Sequence, residues 1–473
     1  MKVGDIIKKP IQLIIKNATY FAADKFNFGH ILVENGQIKE IVADLSNEMA
    51  AETVIDAAGK HVFPGLVDCH VHFREPGYIH REDFFSGSCA AAAGGFTMVF
   101  DMPNVNPPTF DVENLQKRIA LAEAKSLVDF SFYGAAGFAN RCALQPLIDA
   151  GVFAFKTFLN PAPKGKEDVF FGLTVDDDGQ LFLLMQEMAK TKARFVFHCE
   201  NYELIKSMEK LLCERDETGF DFHYKSRPAV AEVESVATVI AFAKATGVRV
   251  GIAHITVPAA CALVKQAKKE GMDIIAETCF QYLIYDESYI DKWGPYAKCN
   301  PPLRSQKQVE ELWNYVVDGT ISMVGSDHAP FVREEKEAGI SGKIWQASSG
   351  LASIEVSLPL MLTQVAKGRL VLEQIPKLMS ENICKNFGLY PKKGCIQPGA
   401  DADFTIIDAA ASHTIDKNTF YTKGKDIDEL FDGEQVQGKV VYTIGRGRVL
   451  FADGRVNEGF AGSGVFVGLW AEE

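Results

Sequence analysis

The sequence predicts an α/β protein: a (β/α)8 TIM barrel carrying a small β-sandwich domain formed from both chain ends. Three observations lead there. Between residues 62 and 330, eight short apolar runs alternate with stretches of helical length. The runs are continuous rather than alternating, as parallel strands covered on both faces require. The polar residues richest in chemistry fall where these runs end, on the rim where barrels place their sites.

The elements follow in chain order. Residues 13–15, 30–33, 38–42 and 53–55 read as short strands, with Glu34-Asn35-Gly36 as a hairpin turn. The apolar runs are 62–68, 97–102, 129–134, 152–159, 194–198, 249–254, 273–278 and 321–326. Helical stretches lie between them at 111–124, 179–191, 231–246, 258–270 and 305–317. No GxGxxG turn follows the first run, which disfavours a doubly wound sheet. After Pro398-Gly399-Ala400-Asp401-Ala402-Asp403 come strand-like runs at 404–407, 440–444 and 448–451, with Ala452-Asp453-Gly454 as a turn. The expected division is 1–60 and 391–457 for the sandwich, 61–390 for the barrel and 458–473 for a tail. That tail is expected to fray or to pack on a neighbouring subunit.

A formal charge of −13 disfavours a nucleic-acid surface, which needs a concentrated basic face. No run approaches a membrane span, and residues 1–9 carry no long apolar leader. Ten scattered cysteines without a CxxC fit reduced thiols and a cytoplasmic setting.

The candidate site starts at Asp68-Cys69-His70-Val71-His72. Side chains at i and i+2 of a strand share a face, so His70 and His72 can touch one ion. Lys156 interrupts the fourth run, while His198, His254 and Asp327 close later ones. Nitrogen and carboxylate donors converging from several strands suit zinc or a similar divalent ion. An ammonium within Ala154-Phe155-Lys156-Thr157-Phe158 is costly to desolvate, which favours the neutral amine. Such an amine can add carbon dioxide and present two oxygens to two cations. Cys69 and Cys199 flank ligands but point away by strand alternation, so they read as packing. His80, His223 and His328 stay outside the metal shell, and His30, His61 and His413 read as surface or core residues.

From Pro64-Gly65-Leu66-Val67-Asp68-Cys69-His70 through Val71-His72-Phe73-Arg74-Glu75-Pro76-Gly77, the chain resembles the amidohydrolase superfamily and within it the cyclic amidases. That group contains dihydroorotases, allantoinases, hydantoinases and dihydropyrimidinases. The resemblance implies two divalent metal ions, with zinc the expected metal, sharing a carboxylated lysine and a hydroxide. His70, His72 and Asp327 would hold the first ion and His198 and His254 the second. Lys156, as N6-carboxylysine, would bridge them, and Asp327 would be the catalytic acid–base. All six ligands are kept, which argues against a noncatalytic scaffold relative. The resemblance also implies a homodimer or homotetramer acting on a small cyclic amide or ureide.

For the substrate, Arg74 and Asn104 match the dihydroorotase carboxylate grip, and Asn300 matches its ring contact. Dihydroorotase, interconverting dihydroorotate and N-carbamoyl-aspartate, is therefore the leading expectation. Allantoinase, hydantoinase or dihydropyrimidinase is the alternative. Phe331 stands where dihydroorotases usually place a histidine. Tyr224-Lys225-Ser226-Arg227-Pro228 and Ile344-Trp345-Gln346-Ala347-Ser348-Ser349-Gly350 look more like allantoinases and hydantoinases. The long polar segments 161–179 and 331–350 are expected to act as mobile covers.

Overall fold

The computed structural model describes residues 11–45, 49–215, 219–340 and 343–468. The segment examined for a leader and the last five tail residues lie outside these. Both chain ends enter one nine-stranded sheet. Ile11–Ala22 pairs antiparallel with Lys25–Glu34, which pairs with Gln37–Val42. Asn35 and Gly36 both take positive φ, 52° and 77°, the conformation a tight two-residue hairpin demands. His61–Pro64 lies parallel to the first strand and antiparallel to Phe404–Thr414, and so stitches the N-terminal half to the C-terminal half. Gln435–Gly445, Arg448–Ala452 and Arg455–Val456 continue the sheet outward. In hydrogen-bond terms the expected sandwich is a single sheet, bent where the register shifts at Ile15/Ala18 and Ile406/Ile407. Leu13, Ile31, Val62, Phe404, Ile406 and Ile444 share one core, so neither end buries its apolar face without the other.

The rest is α/β. Leu66–Val71, Phe96–Asp101 and Asp129–Phe132 form a three-stranded parallel sheet. Gly134–Ala135, Ala154–Phe158, Arg194–His198, Val250–Ile252, Ile274–Cys279 and Met323–Gly325 form a six-stranded one. Nearly every residue in these strands is buried, which explains the unbroken apolar runs. Helices fill the intervals near the expected bounds. Val112–Glu123 is capped by Asp111, whose carboxylate accepts from the Asn114 N–H, and Asp177 caps Asp178–Met188 through the Gln180 N–H. Ala229–Thr246 ends at Gly247, φ 78°, where a left-handed residue closes the last turn.

Two expectations need correction. The strands before His254 and Asp327 stop two residues short of them, at Ile252 and Gly325, and both ligand candidates take positive φ, 37° and 48°. Left-handed backbone cannot continue an extended strand, so these side chains are re-aimed by the turn that follows. The described part of the tail packs on its own chain: the Val467 N–H donates to Phe130 O at 2.8 Å, and Phe466 stacks on Phe132. Among the described residues no helix is long and apolar enough to cross a membrane.

Candidate active site

A cavity of about 860 Å³ opens at the C-terminal ends of the parallel strands, and all six ligand candidates line it. His70 and His72 leave the end of Leu66–Val71 with ring centroids 5.4 Å apart. Their Nε2 atoms lie 3.4 and 3.0 Å from the same oxygen, Asp327 Oδ1. Donor atoms of these three residues fall within 4.8 Å of one another, close enough to share an ion. Across the cavity, His198 Nδ1 faces His254 Nε2 at 2.9 Å. Lys156 is wholly buried, and its Nζ has no hydrogen-bond partner among the described residues; His254 Nδ1 likewise has none.

Charge follows from this burial. Desolvation lowers the Lys156 pKa against the pull of Glu277 and Asp327. It holds His72 down at about 3 and His254 well below the ordinary imidazole value. Burial alone would raise Asp327, but His70, His72 and Lys156 outweigh it and bring it to about 2. Neutral imidazoles beside an ionised carboxylate and an unpartnered amine are a donor set that suits divalent ions. The residues therefore fit the metal pair that the resemblance implies.

Three further side chains orient the candidate ligands, two of them unforeseen from the sequence. Glu277 Oε2 lies 3.1 Å from His70 Nδ1 and accepts the His254 N–H at 2.9 Å, so one carboxylate braces both halves of the site. Glu200 Oε2 lies 2.9 Å from His198 Nε2 and accepts from Arg227 at 2.7 Å. A partner on one ring nitrogen turns the other toward the cavity. The signal for Glu277 was present: a carboxylate inside an apolar run is as anomalous as Lys156 in its own.

Asn104, expected at the substrate, has its Oδ1 2.9 Å from His72 Nδ1, which makes it the third orienting group. Arg74 is buried, donates through Nε to Pro330 O at 3.2 Å and stacks 4.6 Å from the Phe331 ring centroid. Neither carboxylate near it in sequence takes it, since Glu75 pairs with Lys125 and Glu82 with His328. Asn300 lines the cavity with a buried Oδ1 that has no partner among the described residues. His223 lines the cavity too, its Nε2 2.8 Å from Cys299 O. His328 is held by Glu82, and His80 is exposed. Cys69 and Cys199 sit in the cores, as expected.

Residues 61–450 match the Amidohydrolase family. An allantoinase of Desulfitobacterium hafniense is 34% identical over 446 residues, covering 94% of this chain and 96% of the relative. A dihydroorotase of Methanothermobacter thermautotrophicus is 35% identical over 431 residues, covering 91% and 92%. Among solved structures, an L-hydantoinase (dihydropyrimidinase) from Arthrobacter aurescens superposes with a TM-score of 0.91 at 34% identity, covering 97% of this chain and 100% of that one.

Proposed function

This chain belongs to the amidohydrolase family, and on that premise we propose that it hydrolyses the C–N bond of a hydantoin-type cyclic ureide, allantoin or a 5-substituted hydantoin. The single observation that carries the reaction class is the convergence of six donors on one cavity around the unpartnered Lys156 amine. For the substrate, the hydantoin-type reading displaces the dihydroorotase expectation. Two of its three expected contacts have other tasks, Asn104 on His72 and Arg74 on Pro330 and Phe331. Allantoinase and hydantoinase relatives support the same choice.

In this reading His70, His72 and Asp327 would hold one divalent ion and His198 and His254 a second, Lys156 would serve both as N6-carboxylysine, and zinc would suit this donor set. When bound, such a pair supplies Lewis acidity and a nucleophilic water at neutral pH. Asp327 carries the proton: ionised at rest, its carboxylate accepts from the attacking water and returns the proton to the leaving ring nitrogen. Asn300 Oδ1 is placed to accept from a ring N–H. Phe331, packed under Arg74, gives the ring substituent an apolar wall. The product is a ring-opened ureido acid.

The same reading joins the three- and six-stranded sheets into one closed (β/α)8 barrel over about 61–390. Only Tyr133 separates Asp129–Phe132 from Gly134–Ala135, and Val71 bridges His328 at the other seam. The working form in this reading is a homodimer or homotetramer in the cytoplasm, the free cysteines supporting the compartment alone. The test is a substrate panel of allantoin, 5-substituted hydantoins and dihydroorotate, with metal analysis of the purified protein. Two ions per chain with hydantoin-type turnover is the expected result; turnover of dihydroorotate alone would reject the substrate assignment.

A further inference from the structure

Lys298 is buried, and its ammonium has no carboxylate within ion-pair distance among the described residues. Instead, Nζ donates to two backbone carbonyls, Ile344 O at 2.9 Å and Ala347 O at 2.6 Å. The backbone of the same residue closes the circuit: Lys298 O accepts the Gly350 N–H at 2.9 Å and the Lys336 ammonium at 3.1 Å. Lys336 lies on Arg333–Glu337, whose Glu335 O accepts the Ser348 N–H at 2.9 Å. Residues 344–350 are thus tied at three points to Lys298 and at a fourth to the short helix, while Lys336 secures the Lys298 backbone. Burial without a counter-ion pulls the Lys298 pKa down to about 7, and its bonds to carbonyls offset part of the cost of keeping a polar head in the interior.

The segment so held is the outer wall of the cavity. Ile344, Trp345, Gln346, Ser348 and Ser349 all line it. Trp345 remains 39% exposed and packs at a tilt of 49° against Phe222, 4.6 Å between centroids, so its indole depends on the backbone beneath it for its place. Lys298 also stands two residues before Asn300, so one short stretch fixes both the ring contact and the wall for the substituent.

We infer that Lys298 is a positioning residue that latches the wall 344–350 over the cavity and thereby sets which ring substituents the enzyme accepts. It acts through Trp345 and the neighbouring backbone rather than on the scissile bond. A fixed aromatic wall discriminates by apolar contact, which in such pockets is worth roughly 10- to 200-fold between related ligands. The inference rests on the hydantoin-type reading for its substrate, and its structural half stands apart from it.

The test uses full-length, metal-loaded protein and the substitution Lys298→Met, which keeps the length of the side chain and removes the donors. Hydrogen exchange at the Ser348 and Gly350 amides should accelerate by about tenfold or more. The kcat/KM ratio of an aryl-substituted hydantoin to unsubstituted hydantoin should fall by about tenfold, through KM more than kcat. Equal losses on both rings, or unchanged exchange, would overturn the proposal. Should Lys298→Met not fold, Trp345→Ala removes the wall from the outside and should lower the same ratio; an unchanged ratio overturns it equally. If the wild-type protein opens no hydantoin, the substrate reading fails, while the exchange contrast still decides the latch.

Discussion

His70, His72 and Asp327 gather within 4.8 Å where the parallel strands end, and Asp129, Asp401 and Asp403 gather as closely at the opposite rim, where the nine-stranded sheet meets them. By residue type either group could take an ion. At the second, the chain completes the cluster itself. Lys393 Nζ lies 2.8, 3.1 and 2.7 Å from Asp129, Asp401 and Asp403, and Arg446 reaches Asp129 at 3.1 Å. At the first, two polar atoms, Lys156 Nζ and His254 Nδ1, are buried with no hydrogen-bond partner among the described residues. A cluster satisfied from within is a clamp. One that leaves atoms unanswered beside a cavity is built for something brought from outside.

One substitution at two lysines breaks or upholds that contrast. Lys156→Met should cost about 10³-fold in kcat/KM, the several kcal/mol attributed to a bound metal pair. Metal content should drop below one ion per chain. Compared metal-free, its melting temperature should match or exceed that of the wild type, because a desolvated amine has been replaced by a thioether. Lys393→Met should do the reverse, losing about 3–5 kcal/mol in denaturant unfolding by stranding buried carboxylates. Activity per folded molecule should remain. If Lys156→Met destabilises as much as Lys393→Met, the two clusters are not different in kind.

The two were unequally legible in the sequence. The ligand cluster could be read because strand periodicity puts His70 and His72 on one face and an apolar run makes Lys156 anomalous. The clamp could not, since Lys393 and Asp129 are 264 residues apart and each looks like an ordinary surface charge in its own neighbourhood. The positive φ at His254 and Asp327 was hidden for a related reason: local pattern extends a strand until tertiary contacts turn it. The single bent sheet and the returning tail likewise depend on pairings between distant segments. Arg74 reads as a carboxylate grip by spacing alone, until Phe331, more than 250 residues away in sequence, lies against it.

A smaller effect sharpens what holds the ligand cluster in shape. Glu277 pairs with His70 and the His254 backbone, whereas the side chain of Asn104 pairs with His72 alone of the six candidates. Glu277→Gln should weaken metal retention by about 10- to 100-fold, the usual cost of losing an orienting partner. Titration with a chelator, followed by counting the ions left, should show both leaving together. With Asn104→Ala, one ion should leave ahead of the other. Identical release curves for the two variants would mean that Glu277 does not brace both halves.

The smallest expected effect belongs to the clamp and appears only at high pH. Burial works against the charge on Lys393, but Asp129, Asp403 and Asp401 outweigh it and hold its pKa well above the ordinary 10.5. A group whose pKa is raised on folding contributes stability in full below its unfolded value and loses it as pH climbs toward the folded one. The stability difference between wild type and Lys393→Met should therefore stay level from neutral pH to about 10.5. Above that it should shrink by about 1.4 kcal/mol per pH unit. Subtracting the variant cancels the other lysines and tyrosines that titrate in the same range. A difference that begins to fall near pH 8 would mean that the ammonium is not held by its three carboxylates, and the clamp would then resemble the open cluster at the other rim.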